Sequence, residues 1–122
     1  MIQTQTVVAV IDNSGARLAR CINTLRSGRF AHVGDEISVV VQQVKPMGKS
    51  VLKVKRGDVS RALVVRTRKE WQRVDGSWIK FDDNAIVLLD TNKKMVGTKI
   101  TSAIAKEIKG KWPDVAKLTN II

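Results

Sequence analysis

The chain has 122 residues, of which 43% are hydrophobic and 4% aromatic, which predicts a single domain with an aliphatic core. Its 22 Lys and Arg outnumber its 11 Asp and Glu, and the formal charge of +11 predicts a polyanionic partner, with nucleic acid as the default. The sequence shows no basic amphipathic helix of useful length and no apolar run near the ~20 residues of a membrane span, so we expect no membrane contact.

Five segments carry the pattern of β-strands, and turn residues separate them. They cover residues 6–11, 18–25, 37–41, 62–65 and 85–89. The third alternates apolar and other residues with a period of two, and the last two are apolar runs too short for typical helices. Five strands with mostly hairpin-scale connections predict a mainly β fold, a small five-stranded antiparallel barrel, because closing the sheet removes its exposed edges.

The turn at residues 12–15, Asp-Asn-Ser-Gly, ends the first strand. We interpret it as a structural turn. The alternative is a nest of backbone N–H groups that binds a phosphate.

A polar arm lies between the last two strands. Asp75 followed by Gly76 is a strong signal for a tight hairpin turn, because glycine accepts a positive φ. Trp71 and Trp78 flank this turn and are expected to face each other across the hairpin. We interpret them as cross-strand packing, and stacking on nucleic-acid bases is the alternative.

The period of the sequence pattern changes after residue 89. Ser102 can N-cap a helix over residues 103–109, and Gly110 suits its end. Because isolated helices below ~12 residues are marginal in water, this one must dock on the barrel or on a partner.

The basic residues gather in a loop at residues 26–29, a loop at residues 45–55 and the arm. Each phosphate that a cation neutralises releases condensed counterions, and A-form RNA is contacted mainly through its shape and backbone. We therefore predict RNA contact, and a solvated basic surface is the alternative. The predicted RNA-binding residues are Arg26, Arg29, Lys45, Lys49, Lys53, Lys55, Arg56, Arg66, Arg68, Lys69 and Arg73.

The sequence offers little for catalysis. His32 is the only histidine, which excludes a multi-histidine metal site, and the single Cys21 has apolar neighbours typical of a core thiol in a reducing compartment. We predict no catalytic residue, no metal, no cofactor and no small-molecule substrate.

The stretch around the arm resembles the signature of the universal large-subunit ribosomal protein L-fourteen family. That signature is a small residue and three aliphatics, nine residues, Asp-Gly, an aromatic, Asn and a Val-Leu pair at fixed spacing. The matching residues are Ala62, Leu63, Val64, Val65, Asp75, Gly76, Phe81, Asn84, Val87 and Leu88. Further matches, from residues 1–3 to residues 97–100, extend the resemblance over nearly the whole chain.

The resemblance implies a five-stranded barrel with C-terminal helical turns that binds large-subunit rRNA and sits at the face that meets the small subunit. It also implies a bridge to small-subunit rRNA, contacts with ribosomal proteins L-three and L-nineteen and, in bacteria and organelles, a silencing factor that blocks subunit joining. The resemblance assigns Thr98, Lys99 and Asp114 to protein partners or to the intersubunit face.

The departures from the family pattern lie towards the C-terminus. Lys99 stands where relatives have Arg, and Asp114 where they have Lys, which bears on the silencing-factor contact. This divergence indicates the mitochondrial matrix and its ribosome, with the bacterial cytoplasm or a plastid as the alternatives.

The function predicted from the sequence is that of a structural constituent of the large ribosomal subunit. The alternative is a stand-alone basic RNA-binding regulatory protein. The domain is expected to cover residues 1–122, with the barrel over about residues 1–100 and the helical turns over about residues 101–122.

Overall fold

A computed structural model describes residues 2–25, 28–44 and 54–122. The strands in these residues are β1 Val7–Val10, β2 Ala16–Asn23, β3 Glu36–Val44, β4 Val59–Arg66, β5 Trp71–Gln72, β6 Trp78–Ile79 and β7 Ala85–Leu89. The helices are α1 Ile108–Lys111 and α2 Pro113–Ala116. No helix in the described residues is long and apolar enough to cross a membrane.

Five of the strands form a closed barrel in the order β1, β2, β3, β4, β7. The predicted mainly β, five-stranded barrel with a hairpin and short C-terminal helices is confirmed. It is antiparallel at four of its five joints, and β1 and β7 pair in parallel. The parallel joint follows from the odd number of strands, because five strands cannot alternate direction all the way around a closed sheet.

The two continuous apolar runs are explained by burial on both faces of the sheet. Along β4, Ala62 and Val64 belong to the barrel interior, whereas Leu63 and Val65 belong to a second cluster outside the barrel. Strand β7 alternates in the same way. The second cluster is completed by Ile100, Ile104, Ile108 and Val115 from the C-terminal segment. A strand covered on both faces needs no polar positions, so its sequence shows no alternation.

The predicted helix over residues 103–109 is wrong. Ile104 instead forms a parallel bridge with Ile121, and the Ala105 N–H donates to the Val65 carbonyl oxygen at 3.2 Å. These backbone groups are thus satisfied by distant parts of the chain, which removes the need for helical hydrogen bonds. Helix α1 starts only at Ile108, and Gly110 lies inside it rather than at its end.

Asp12 closes the parallel joint of the barrel. Its side chain is fully buried, and Oδ2 accepts the Leu88 N–H of β7 at 3.0 Å. Oδ1 accepts both the N–H of Ser14 at 3.2 Å and its hydroxyl at 2.6 Å. A buried carboxylate is tolerated only when hydrogen bonds replace its hydration, and three donors do so here. The turn that follows β1 is therefore structural, with its side chains used inside the fold.

We expect Val64→Ala to lower the free energy of unfolding by about 1–3 kcal/mol, through lost burial and a residual cavity. The matched control is Val59→Ala in the same strand, because Val64 is fully buried whereas Val59 is 68% exposed. The control should change stability by no more than about 0.5 kcal/mol. Thermal melting of both variants tests this, and equal losses would contradict the assigned inward and outward faces of β4.

Candidate nucleic-acid interface

The predicted RNA-binding residues divide into three groups in the structure. Arg26, Lys45, Lys49 and Lys53 lie outside the described residues. Five cations have exposed side chains: Arg29, Lys55, Arg56, Arg68 and Lys69. Arg66 and Arg73 are partly buried. The exposed group comes from three separate places in the fold, namely the 28–30 loop, the turn before β4 and the arm.

Lys55 and Arg56 are presented by a tight turn that leads into β4. The Lys55 N–H donates to the Asp58 side chain at 2.9 Å. Gly57, at φ +90°, donates its N–H to the Val41 carbonyl oxygen at 2.8 Å. These bonds fix the backbone of the turn to β3, so the two side chains project from a defined position.

The arm is a short hairpin held firmly at its base and at its tip. At the base, the Arg68 N–H donates to Asn84 Oδ1 at 2.8 Å. At the tip, Gly76 has φ +90°, and Asp75 Oδ1 accepts the Ser77 hydroxyl at 2.7 Å and the Ser77 N–H at 2.9 Å. These bonds from Ser77 lower the pKa of Asp75. The predicted Asp-Gly turn is confirmed.

The two tryptophans do not face each other. In the β5–β6 register Trp71 pairs with Ile79, and Gln72 pairs with Trp78. Residues opposite each other share a face of the hairpin, so Trp71 and Trp78 point to opposite faces. The expected cross-strand packing of the two rings is wrong, because it required a register shifted by one residue.

Arg73 and Arg66 face the protein rather than the solvent. Arg73 Nε lies 2.8 Å from Glu107 Oε1, and its side chain is only 11% exposed. Its guanidinium also donates to the Ile122 carbonyl oxygen. Arg66 Nη2 contacts Asp83 at 3.0 Å. Arg73 is among the predicted RNA-binding residues, but its side chain faces a carboxylate that is distant in sequence and was therefore not visible as a pair.

The pairing of some cations with carboxylates changes what each cation can offer to a partner. An arginine whose charge is matched by a carboxylate offers less to a phosphate than one without such a partner. Arg68 and Lys80 form no ion pair with any carboxylate of the described residues. Lys80 is not among the predicted RNA-binding residues, although it lies in the arm next to Ile79 and is exposed.

Thr98, Lys99 and Asp114 are all exposed. Asn13 Oδ1 accepts the N–H groups of Thr98 at 2.6 Å and Lys99 at 3.1 Å, which fixes this segment against the turn after β1. A Cβ on Gly97 would lie 2.6 Å from that same oxygen, so only glycine fits the contact without a shift. Asp114 lies in α2, which packs through Val115 on the outer cluster.

The described residues contain no group of three or more His, Cys, Asp or Glu that could hold a metal ion. Cys21 is buried in the barrel interior, and desolvation raises the pKa of its thiol. A buried thiol with a raised pKa is a poor nucleophile, so Cys21 acts as a small core residue.

Two comparisons with known proteins found similar sequences. A family described as ribosomal protein L14p/L23e matches residues 1–122. The chain is also 46% identical, over 114 residues, to a protein of Schizosaccharomyces pombe named large ribosomal subunit protein uL14m. That match covers 91% of this chain and 90% of the relative.

Replacing Gly76 with valine should lower the free energy of unfolding by about 1–3 kcal/mol, because a β-branched side chain is strained at positive φ. The matched control is Gly110→Ala, since Gly110 lies in α1 and a Cβ there meets open space. The control should stabilise by about 0.4–1 kcal/mol. Chemical denaturation measures both, and an unchanged Gly76→Val protein would argue against a strained turn.

The Arg73–Glu107 pair should couple the arm to the C-terminal segment. We expect Arg73→Ala and Glu107→Ala each to lower stability by about 1–3 kcal/mol, because each leaves a partly buried charge unpaired. The double variant should lose clearly less than the sum of the two. The exposed Lys69–Glu70 pair, with an N–O distance of 3.0 Å, is the control and should show no measurable coupling. If the two losses of stability simply add in the double variant, Arg73 and Glu107 do not couple the arm to the C-terminal segment.

Proposed function

This chain belongs to the ribosomal protein L14p/L23e family, and from that premise we propose that its outward-facing cations bind large-subunit rRNA. As a member of this family it is a structural protein of the large ribosomal subunit and not an enzyme. The relative from Schizosaccharomyces pombe is named a large ribosomal subunit protein, and the suffix of uL14m denotes the mitochondrial form. The high identity over most of both chains supports the mitochondrial ribosome as the location of this protein.

The RNA-binding proposal rests on one observation: some cations face carboxylates of the same chain, and others face the solvent. Arg66 and Arg73 face carboxylates of the same chain, whereas Arg68, Lys80, Lys55 and Arg56 are exposed without a carboxylate partner among the described residues. Exposed, unmatched cations on fixed turns suit the phosphate backbone, because each contact releases counterions without needing a particular base.

The second part of the proposal concerns the intersubunit face. Lys99 and Asp114 are exposed, and each is followed by a residue of the same outer cluster, Ile100 or Val115. The common cluster fixes both segments on the same side of β4 and β7. We assign this side to contacts with small-subunit rRNA and with ribosomal proteins L-three and L-nineteen. Asp114 brings a negative charge to this side, so a silencing factor that docks here needs a basic or neutral complement.

We expect the double variant Arg68→Glu with Lys80→Glu to bind RNA more weakly and with a shallower salt dependence. Each lost phosphate contact should reduce the slope of log K against log salt by about 0.7–0.9. Melting should be unaffected, because both side chains are exposed. The neutral variant Arg68→Gln with Lys80→Gln is the matched control and should lose the same slope without added repulsion.

The same variants test ribosomal assembly on a sucrose gradient. Wild-type protein should sediment with the large subunit in equal stoichiometry, and the double-Glu variant should be depleted from that fraction. A wild-type protein that stays at the top of the gradient, yet binds one RNA tightly with a flat salt response, would refute the proposal. It would favour the stand-alone regulator.

A further inference from the structure

The arm has two chemically different faces. Burial alternates along both of its strands: Trp71, Arg73 and Ile79 are partly buried, whereas Gln72 and Trp78 are exposed. The inner face packs towards Glu107 and Ile122 of the C-terminal segment. The outer face presents Trp78 beside Gln72, its direct cross-strand partner.

Trp78 is 65% exposed, although it is one of the largest apolar side chains in the protein. By contrast, Trp71 lies on the inner face with the Arg73 guanidinium 5.7 Å from its ring centroid. Its indole nitrogen is buried. Trp71 thus helps to hold the arm against the C-terminal segment, and Trp78 makes no comparable contribution within the described residues. An indole ring held on a rigid two-stranded support, with its surface open, is suited to stacking on another flat ring.

The charges around Trp78 indicate on which kind of flat ring it would stack. The Asp75 carboxylate is already used by Ser77, and Glu70 pairs with Lys69 at 3.0 Å. Lys80 follows Trp78 by two residues, directly after the end of β6, and its side chain is exposed. With Glu70 paired to Lys69, and Lys80 exposed and outside the ion pairs of the described residues, the outer face offers a cation close to an aromatic ring. That combination complements a base and its phosphate better than the apolar surface of a protein.

We propose that Trp78 stacks on an unpaired base of RNA, with Lys80 on the adjacent phosphate. This inference rests on the proposed function, since it names the RNA feature that the arm recognises. The base must be unpaired because the faces of bases in a duplex are covered by their neighbours. Stacking needs no particular base, so the site selects single-stranded structure rather than sequence.

The test compares two probes at constant salt: a single-stranded 12-nucleotide oligoadenylate and a blunt 20-base-pair RNA duplex. Trp78→Ala should lose about tenfold in affinity for the single strand and little for the duplex. Trp78→Phe keeps a flat ring and should recover most of the lost affinity. Trp71→Phe is the matched control on the inner face and should bind both probes like wild type. Tryptophan fluorescence should be quenched by the single strand in wild type and much less in Trp78→Phe.

Each outcome separates the two proposals. If wild-type protein binds neither probe, the proposed function fails and the stacking inference fails with it. If both probes bind and Trp78→Ala changes neither affinity, the stacking inference alone is overturned. An equal loss on both probes would mean that Trp78 supports the arm rather than a base, and would also overturn it. Unchanged RNA binding with reduced incorporation into large subunits would assign this face to a protein.

Discussion

The buried carboxylate of Asp12 is the contact on which the rest of the structure depends. A closed sheet of five strands has one parallel joint, and the β1–β7 ladder there is short. Asp12 extends it, because its side chain accepts a backbone N–H of β7 where β1 has ended. The next residue, Asn13, then binds the backbone at residues 98 and 99. The closure of the barrel and the placement of the C-terminal segment are therefore adjacent parts of one polar network.

The C-terminal segment in turn determines what the arm can do. By covering the outer faces of β4 and β7, it brings Glu107 to Arg73 and leaves the other side of the arm to the solvent. The same residue type thus has two roles within a few positions of one hairpin. Arg73 stabilises the position of the arm, and Arg68 remains available to a partner. A count of basic residues overestimates the charge that is free to meet a polyanion, because it cannot distinguish these roles.

The sequence was informative where local chemistry decides the structure. The apolar runs and the Asp-Gly turn predicted β4, β7 and the hairpin between them, because burial on two faces and a positive φ each leave a local signature. The signals failed where distant groups decide. The register that separates Trp71 from Trp78, the partner of Arg73 and the bridge from Ile104 to Ile121 all depend on contacts across the fold. No pattern in a short window records those contacts.

The position of the arm between two paired strands has a further consequence. Arg66 at the end of β4 is the direct partner of Ala85 at the start of β7, so the whole arm enters and leaves the barrel at neighbouring points. Topologically it is an enlarged hairpin loop. The entropy of closing such a loop grows only with the logarithm of its length, so insertions or deletions at the tip change the barrel's stability little. The length of the arm can thus change while the barrel that carries it stays the same.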